Sequence, residues 1–189
     1  MSEPDVNHRI TLRTAERGDV AALHELVNSA YRGDSSRIGW TTEADLLGGQ
    51  RTDHAALTDF IAAATERGDR AMLVCPALPD AHPQLDACVQ LERRDTDAYL
   101  GMLTVRPGLQ SRGVGKALLA GAEDFVAREW QTRTVTMTVI AQRDELIAWY
   151  LRRGYTHTGK TAPFPYGDLR FGAPKRPDLH FVVLQKSLV

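Results

Sequence analysis

The sequence predicts a mixed α/β domain built around one hydrophobic core. Residues 135–139 alternate valine or methionine with threonine, the period of two that is typical of a half-buried strand. Residues 114–126 carry apolar side chains at helical spacing and form the strongest amphipathic helix in the sequence. The chain has 189 residues, of which 43% are hydrophobic, and shows no internal repeat or linker. We therefore predict a single domain spanning residues 1–189.

The N-terminal half is predicted to contain a strand, two or three helices and a second strand. Residues 9–13 alternate polar and apolar side chains, which indicates a short strand. Asp19 is placed to cap a first amphipathic helix. Residues 42–47 read as a short helix that ends at two glycines, and residues 57–64 as part of a longer one. The apolar run 71–75 is the next strand.

The C-terminal half alternates strands and helices. Two apolar runs flank a charged tip and predict an antiparallel hairpin, with strands at 86–93 and 98–105. The elements expected after the hairpin are a helix at 114–126, a strand at 135–139, a helix at 144–153, a strand at 154–159, a long loop at 160–179 and a strand at 180–188.

The composition narrows the class of protein. The chain has 23 basic and 24 acidic residues, a balance that argues against a dedicated nucleic-acid binder. Its N-terminus lacks the pattern of a secretory signal, and no stretch approaches the ~20 apolar residues that span a bilayer, so we expect no membrane partner. Cys75 and Cys88 lie in predicted strands without metal-binding or redox spacing, and we interpret them as core residues. These features predict a cytoplasmic protein.

The most informative segment is VRPGLQSRGVGKALL, residues 105–119. A strand ends at Val105, and a glycine-rich turn runs directly into a helix. The first backbone N–H groups of a helix have no partners within the helix, and with the helix dipole they form an anion site suited to phosphates. Gly113 and Gly115 remove side chains where a phosphate must approach the backbone closely.

Two other phosphate motifs fit this segment poorly. A Walker A loop requires a glycine where Gln110 stands and a serine or threonine where Ala117 stands, so the hydroxyl that binds Mg²⁺ is missing. This weakens the alternative of a kinase-like nucleotide-binding protein. A dinucleotide fingerprint requires a third glycine where Leu118 stands.

The pattern Gln110-x-x-Gly113-x-Gly115 resembles the acetyl-CoA signature Q/R-x-x-G-x-G/A of the GNAT superfamily of N-acetyltransferases. The resemblance implies the GNAT fold, a mixed and mostly antiparallel sheet of six to seven strands flanked by helices. It also implies a gap between two splayed strands, which the pantetheine arm of acetyl-CoA enters. The residues that it assigns to the cofactor are Leu103, Thr104 and Val105 for pantetheine, and Gln110, Ser111, Arg112, Gly113, Val114, Gly115 and Lys116 for the pyrophosphate.

A second motif, RDELIAWYLRRGY at residues 143–155, resembles the family's short helix that carries a tyrosine before a glycine–aromatic pair. Tyr150, Gly154 and Tyr155 occupy those positions. A phenol there can protonate the CoA thiolate as it leaves, so we predict that Tyr150 is the general acid. The alternative is an aromatic residue packed in the core. Many family members have asparagine where this chain has Arg143, so no cofactor role is transferred to that residue.

The acceptor amine must lose a proton before it attacks. Glu43 and Asp45 are the acidic candidates, because the segment between the first helices commonly lines the acceptor cleft in this family. We predict Glu43 as the base or a substrate contact, although a solvated carboxylate on a helix face is the favoured alternative. The backbone N–H near Leu103 is expected to stabilise the oxyanion.

Two segments are candidates for binding the acceptor. Near the first helices, Tyr31, Trp40 and Arg51 combine aromatic surface with a cation. The long loop at 162–177 contributes Tyr166 and is predicted to fold over the cleft, a dimer contact or a surface excursion being the alternatives. If the acceptor carries a carboxylate, Arg51 or Arg170 is placed to bind it.

Together these features predict an enzyme that transfers acetyl directly from acetyl-CoA to a primary amine of a small molecule or peptide. We expect no metal. We also expect no covalent enzyme intermediate, because no convincing Ser-His-Asp or Cys-His arrangement is present. The alternatives are an acyl-CoA-binding sensor on the same fold and an acetyltransferase for protein N-termini or lysines. A homodimer is compatible with the resemblance.

Overall fold

The computed structural model describes residues 10–77 and 84–188. Within these ranges the chain forms four α-helices and nine strands. The helices are α1 (Val20–Tyr31), α2 (His54–Arg67), α3 (Val114–Glu129) and α4 (Asp144–Leu151). The strands are β1 (Arg13–Thr14), β2 (Leu47–Gly48), β3 (Arg70–Pro76), β4 (Leu85–Arg93), β5 (Ala98–Val105), β6 (Thr134–Ile140), β7 (Thr156–Pro163), β8 (Ala173–Pro174) and β9 (His180–Ser187).

Seven of these strands form one sheet in the order β1-β3-β4-β5-β6-β9-β7. Only the central β5–β6 pair is parallel, and the other five pairs are antiparallel. The predicted fold class, a mixed and mostly antiparallel sheet of six to seven strands flanked by helices, is therefore confirmed. A separate small ribbon pairs β2 with β8.

Helices cover both faces of the sheet. On one face α3 and α4 bury Leu118, Val126 and Ile147 against the central strands. On the other face α1 and α2 bury Leu23 and Leu57 against β3 and β4. A third, smaller cluster around Phe164 lies at the C-terminal end of β6. The apolar positions of the helix predicted at 114–126 supply most of the buried side of α3.

Local signals account for the boundaries of α2 and α4. The Asp53 side chain accepts a hydrogen bond from the backbone N–H of Ala56 at 2.8 Å and caps the start of α2. The helix ends at Gly68, whose φ of +67° lies in the left-handed region that glycine adopts without strain. After α4, Gly154 at φ +88° reverses the chain into β7.

The helix predicted at 42–47 is wrong. The segment makes one helical turn, in which the N–H of Leu47 bonds the carbonyl of Glu43 at 2.8 Å, and then extends into β2. Leu47 and Gly48 pair with Pro174 and Ala173 of β8, a partner distant in the sequence. A tertiary pairing therefore outweighs the local helical pattern.

Two other boundaries differ from the prediction. The first strand is confined to Arg13–Thr14, while residues 10 and 12 pack against the core and residue 9 lies outside the described residues. The predicted loop at 160–179 is shorter than expected, because β7 continues to Pro163 along β9, and β8 interrupts the remainder. Extension of β7 satisfies backbone hydrogen bonds that a loop would leave to water.

Candidate active site

The two central strands separate in the middle of the sheet. β5 and β6 pair only at Ala98 with Val135 and at Tyr99 with Thr136, although both strands continue beyond these residues. Met102 in β5 has a φ of +49°, unusual for a side-chain-bearing residue, and the β4–β5 register shifts opposite it. This irregularity turns β5 away from β6 and opens a gap in the sheet.

The start of α3 lies beside the end of β5. Gly113 precedes the helix with a φ of +84°, and a Cβ built there would meet no atom within 4 Å, so the backbone faces open space. The first bond within the helix runs from the N–H of Ala117 to the carbonyl of Gly113, at 3.0 Å. The N–H groups of Val114 and Gly115 come before this first bond and have no partner within the helix. They form an anion site that suits a pyrophosphate.

A cavity of about 650 Å³, the large cavity, lies along this turn and the open edge of β5. Most of the predicted cofactor residues line it, as do three of the residues predicted for the acceptor and the proton transfer. These lining residues are Leu103, Val105, Gln110, Ser111, Gly113, Gly115, Lys116, Tyr31, Trp40 and Tyr150. Three predicted cofactor residues do not line the large cavity: Thr104 and Val114 are buried and Arg112 is exposed.

Gln110 ties the turn to the segment that follows α1. Its Oε1 accepts a hydrogen bond from the backbone N–H of Trp40 at 3.0 Å. Its Nε2 donates to the Thr41 hydroxyl at 3.0 Å and to the Val105 carbonyl at 3.1 Å. A Cβ on Gly39 would overlap the Gln110 carboxamide, so this approach requires glycine. The side chain that carries the sequence signature thus braces one wall of the large cavity.

Tyr150 lies in the buried part of α4. Its ring packs edge-on against Trp149 and Tyr155, with centroid distances of 5.0 and 5.6 Å. Burial raises the pKa of its phenol above the usual value, so the phenol keeps its proton at neutral pH. A group in this state donates a proton or a hydrogen bond and does not act as a base.

A second cavity of about 120 Å³, the small cavity, adjoins the large one. The two share Tyr31, Leu103, Arg143, Leu146 and Tyr150 in their linings. The aromatic residues of the small cavity come from five separate elements or loops, and they are Tyr31, Tyr99, Tyr150, Phe164, Phe171 and Phe181. The Tyr150 side chain therefore stands where the two cavities meet.

Glu43 is the only acidic residue in the described lining of the small cavity. It is 6% exposed, so the expectation of a solvated carboxylate is wrong. Its Oε2 pairs with Arg32 at 2.5 Å and its Oε1 with Arg143 at 2.7 Å. Burial by itself raises the pKa of Glu43, but the guanidinium groups of Arg143 and Arg32 outweigh it, and the pKa is lowered. A carboxylate held in this way is a weak proton acceptor.

Arg143 is a site residue that sequence reasoning missed. From the start of α4 it donates to Glu43 and, at 2.5 Å, to the Thr41 carbonyl. Its guanidinium also lies 5.9 Å from the centre of the Tyr31 ring. Its role could have been suspected from the sequence, because many family members have asparagine at this position. A longer, cationic side chain there reaches a partner that asparagine cannot.

The structure brings together three of the four residues predicted to bind the acceptor. The Tyr31 phenol donates to the Leu103 carbonyl at 2.9 Å, at the edge where β5 and β6 separate. Arg51 lies over the Tyr31 ring at 5.6 Å and lines the small cavity, while Trp40 lines the large one. Tyr166 lines neither, because its phenol donates to the Arg176 carbonyl and accepts from the Leu179 N–H.

The long loop contributes different residues from those expected. Phe164 and Phe171 line the small cavity, and the carbonyl of Phe171 accepts a hydrogen bond from Arg32 at 3.4 Å. Arg170, the second candidate for binding a carboxylate, is 84% exposed in its side chain and pairs with Asp168 instead. Of the two arginines considered for binding a carboxylate of the acceptor, only Arg51 therefore lines a cavity.

Other features of the sequence have structural counterparts. Cys75 and Cys88 are free and buried, as expected for core residues. Within residues 10–77 and 84–188, no group of histidine, cysteine or acidic side chains is arranged to hold a metal ion. Among the helices in the same ranges, none has the length and apolar character required to cross a membrane.

The family of the chain follows from its match to known sequences. Residues 43–155, more than half of the chain, match the family described as "Acetyltransferase (GNAT) family". The chain belongs to the GNAT acetyltransferase family. The predicted family and enzyme class are therefore confirmed. A comparison of this GNAT chain with curated proteins gave no match.

Solved structures of acetyltransferases share the fold of this GNAT protein. A chimera of the Vibrio cholerae spermidine N-acetyltransferase SpeG and hSSAT superposes with a TM-score of 0.67 at 16% identity, over 95% of each chain. The Vibrio cholerae spermidine N-acetyltransferase in complex with CoA and spermine gives 0.66 at 16% identity, again over 95% of each. The putative acetyltransferase yncA from Salmonella typhimurium, with acetyl-CoA, gives 0.67 at 19% identity over 96% and 95%. At these identities the likeness establishes the fold.

Proposed function

We propose that this GNAT protein transfers an acetyl group directly from acetyl-CoA to the primary amine of a small molecule. The observation that carries the proposal is the junction of the two cavities at Tyr150 and Leu103. The large cavity contains the helix start suited to a pyrophosphate and leads along the open edge of β5. The small cavity meets it at that edge, which is where an amine has to approach a thioester.

The residues present fit acetyl-CoA. Gly113 and Gly115 leave the backbone at the start of α3 accessible to the pyrophosphate, and Leu103 and Val105 offer the open edge of β5 to the pantetheine arm. Acetyl-CoA would supply the acetyl group as a thioester. Two of the solved structures with this fold were determined with acetyl-CoA or with CoA, which supports the assignment.

Tyr150 is proposed as the general acid. As the nitrogen lone pair forms the new C–N bond and the C–S bond breaks, the sulfur leaves as a thiolate and takes the phenolic proton of Tyr150. The amine gives up its own proton, and solvent returns one to Tyr150. The N–H of Leu103, at the separated edge of β5, is proposed to stabilise the developing oxyanion.

Glu43 is proposed to position other residues, in place of the predicted role as base. Both of its carboxylate oxygens accept hydrogen bonds from buried guanidinium groups, so neither is available to the amine. We propose that the amine loses its proton to water. Buried free cysteines also support the proposal that the protein acts in the reducing cytoplasm.

The test is calorimetric titration of acetyl-CoA into the wild-type protein and a Gly115→Glu variant. A Cβ on Gly115 would lie 3.5 Å from Trp149, an ordinary contact, and a carboxylate in the first turn of a helix is compatible with folding. Because this carboxylate occupies the proposed pyrophosphate site, we expect the affinity to fall by about 100-fold or more.

Gly108→Glu is the matched control. Gly108 lies in the same turn and is exposed, and a Cβ added to it would meet no atom within 4 Å, but it does not line the large cavity. This variant should bind acetyl-CoA as the wild type does. Wild-type protein that fails to bind acetyl-CoA, or equal binding by the two glutamate variants, would contradict the proposal. Binding without transfer to any amine would instead favour an acyl-CoA sensor.

A further inference from the structure

The small cavity carries more positive than negative charge. Three arginines line it, Arg32, Arg51 and Arg143, against the single carboxylate of Glu43. Glu43 is shared between Arg32 and Arg143. Three cations less one anion leave a net charge of +2 on these groups. Such a cavity attracts an anion and repels a polycation.

Arg51 is the cation available to a ligand. Among the described residues no acidic side chain forms an ion pair with Arg51, whose guanidinium rests on the Tyr31 ring at 5.6 Å. Its backbone N–H bonds the Asn28 side chain at 2.7 Å, which fixes the start of this side chain without using its charge. A planar guanidinium held in this way can bind a carboxylate through two parallel hydrogen bonds.

The guanidinium of Arg32 has a donor atom, Nε, that makes no hydrogen bond to the described residues. Arg32 is 6% exposed and lines the small cavity. A buried guanidinium N–H without a partner is costly unless a ligand or water supplies an acceptor. The Arg32 guanidinium therefore adds positive charge to the wall of the small cavity, while its Nε is itself buried and lies beside Gly172.

The arginines of the small cavity lie close to the edge of β5, where the amine is proposed to react. An anionic group bound by them would therefore lie close to that amine. The guanidinium groups of Arg51 and Arg143 both lie within 6 Å of the Tyr31 ring, at 5.6 and 5.9 Å, and the Tyr31 phenol bonds the Leu103 carbonyl at the edge of β5. The cavity is about 120 Å³, small beside pockets for drug-sized ligands, which are roughly 300–1,000 Å³. Its remaining walls include Phe164, Phe171 and Phe181.

We propose that the acceptor is a compact amine that carries a carboxylate, such as an amino acid with an apolar side chain, and that Arg51 binds this carboxylate. The proposal rests on the proposed acetyl transfer and specifies its substrate class. It separates this protein from the spermidine acetyltransferases of the same fold, since a polyamine has only positive charges to place beside the arginines.

The experiment compares matched acceptors with and without the carboxylate. Acetyl transfer, followed as release of free thiol, is measured with L-phenylalanine against phenethylamine, L-leucine against isoamylamine, and spermidine. We expect the amino acids to have the higher kcat/KM by about 10- to 100-fold, the range for a hydrogen-bonded charge pair. Equal or better transfer to the amines lacking the carboxylate, or to spermidine, overturns the proposal.

Arg51→Gln tests the assigned residue, with Arg170→Gln as the matched control. The first variant should lower kcat/KM for the amino acids by about 10- to 100-fold, mainly through KM, and should not lower kcat/KM for the plain amines by a comparable factor. The second removes an exposed arginine outside both cavities and should match the wild type. An equal loss for both kinds of acceptor in Arg51→Gln contradicts a role in binding the carboxylate.

Acetyl-CoA titration of the same preparations separates the two proposals. If the wild type does not bind acetyl-CoA, the proposed function itself fails. If it binds acetyl-CoA but acetylates no amino acid, or shows no preference for the carboxylate, only the acceptor class is wrong. The unfolding midpoint of Arg51→Gln, measured alongside, distinguishes a lost contact from a misfolded variant.

Discussion

The two sides of the active site are built in different ways. In the large cavity, the proposed pyrophosphate site lies on one continuous stretch, from the end of β5 through the glycine turn into α3. The segment that follows α1 and helix α4 complete the lining. The small cavity takes residues from α1, the 43–51 segment, β5, β6, α4 and the region from 164 to 181. The pyrophosphate site can be recognised from local spacing, whereas the small cavity exists only once distant elements have packed together. One family can therefore keep a common donor site while its acceptor sites diverge.

Tyr150 belongs to both sides, and its removal should have the largest effect. Tyr150→Phe keeps the ring that packs on Trp149 and Tyr155 but deletes the proton donor. We expect kcat to fall by about 10²- to 10⁴-fold, the usual contribution of general acid–base catalysis, with acetyl-CoA affinity little changed. Steady-state kinetics with calorimetric titration measures both quantities.

Tyr166→Phe is the control for this prediction. Its phenol lies outside both cavities, so kcat and KM should stay close to the wild-type values. Full turnover by Tyr150→Phe would mean that the tyrosine only packs in the core. A large rise of the acceptor KM in Tyr166→Phe would restore the substrate role that the sequence predicted.

Substitutions in the small cavity should also lower the stability of the protein, because this cavity contains a buried ion-pair network. Glu43→Gln leaves Arg32 and Arg143 without their shared anion, and breaking a buried pair from one side typically costs about 3–5 kcal/mol. Denaturant unfolding measures this loss. Asp45→Asn, two residues away, breaks only an exposed pair with Arg37 and should leave the unfolding midpoint unchanged.

The ion-pair network of Glu43 also makes the stability of the folded protein depend on pH. The pKa of Glu43 is lowered in the folded protein, so its stabilisation is present above the usual glutamate pKa and is lost as the pH falls through the lower, folded value. Glu43→Gln should remove this part of the acid unfolding curve. An unchanged curve, or equal stability of the two variants, would show that the network contributes little.

The smallest expected effect is that of alkaline pH on kcat, through Tyr150 at the junction of the two cavities. Burial raises the pKa of Tyr150, so the proton donor remains protonated up to and beyond the usual tyrosine pKa of about 10. The plateau of kcat should therefore extend to about pH 10 without a falling limb due to this group. A limb with a midpoint below about pH 9, present in the wild type and missing in Tyr150→Phe, would contradict this assignment.

Much of the donor side could be predicted from the sequence. Gln110, Gly113 and Gly115 lie within a few residues of one another, and a turn between a strand and a helix places their backbone without help from the rest of the chain. The role of the Gln110 side chain could not be predicted in the same way. Its hydrogen bonds to Trp40 and Thr41 join segments that are far apart in the sequence.

The sequence by itself determined the mixed α/β class, most of the elements and the glycine turn, because each depends on periodicity or on spacing within one segment. The mostly antiparallel sheet and the tyrosine of α4 followed from the family resemblance of motifs that are equally local. Only the tertiary structure decided that Glu43 is buried between two arginines, that Arg51 faces a cavity while Arg170 faces solvent, and that residues 47–48 form a strand. The physical reason is that burial and ion pairing depend on which distant elements meet, and local patterns carry no record of those partners.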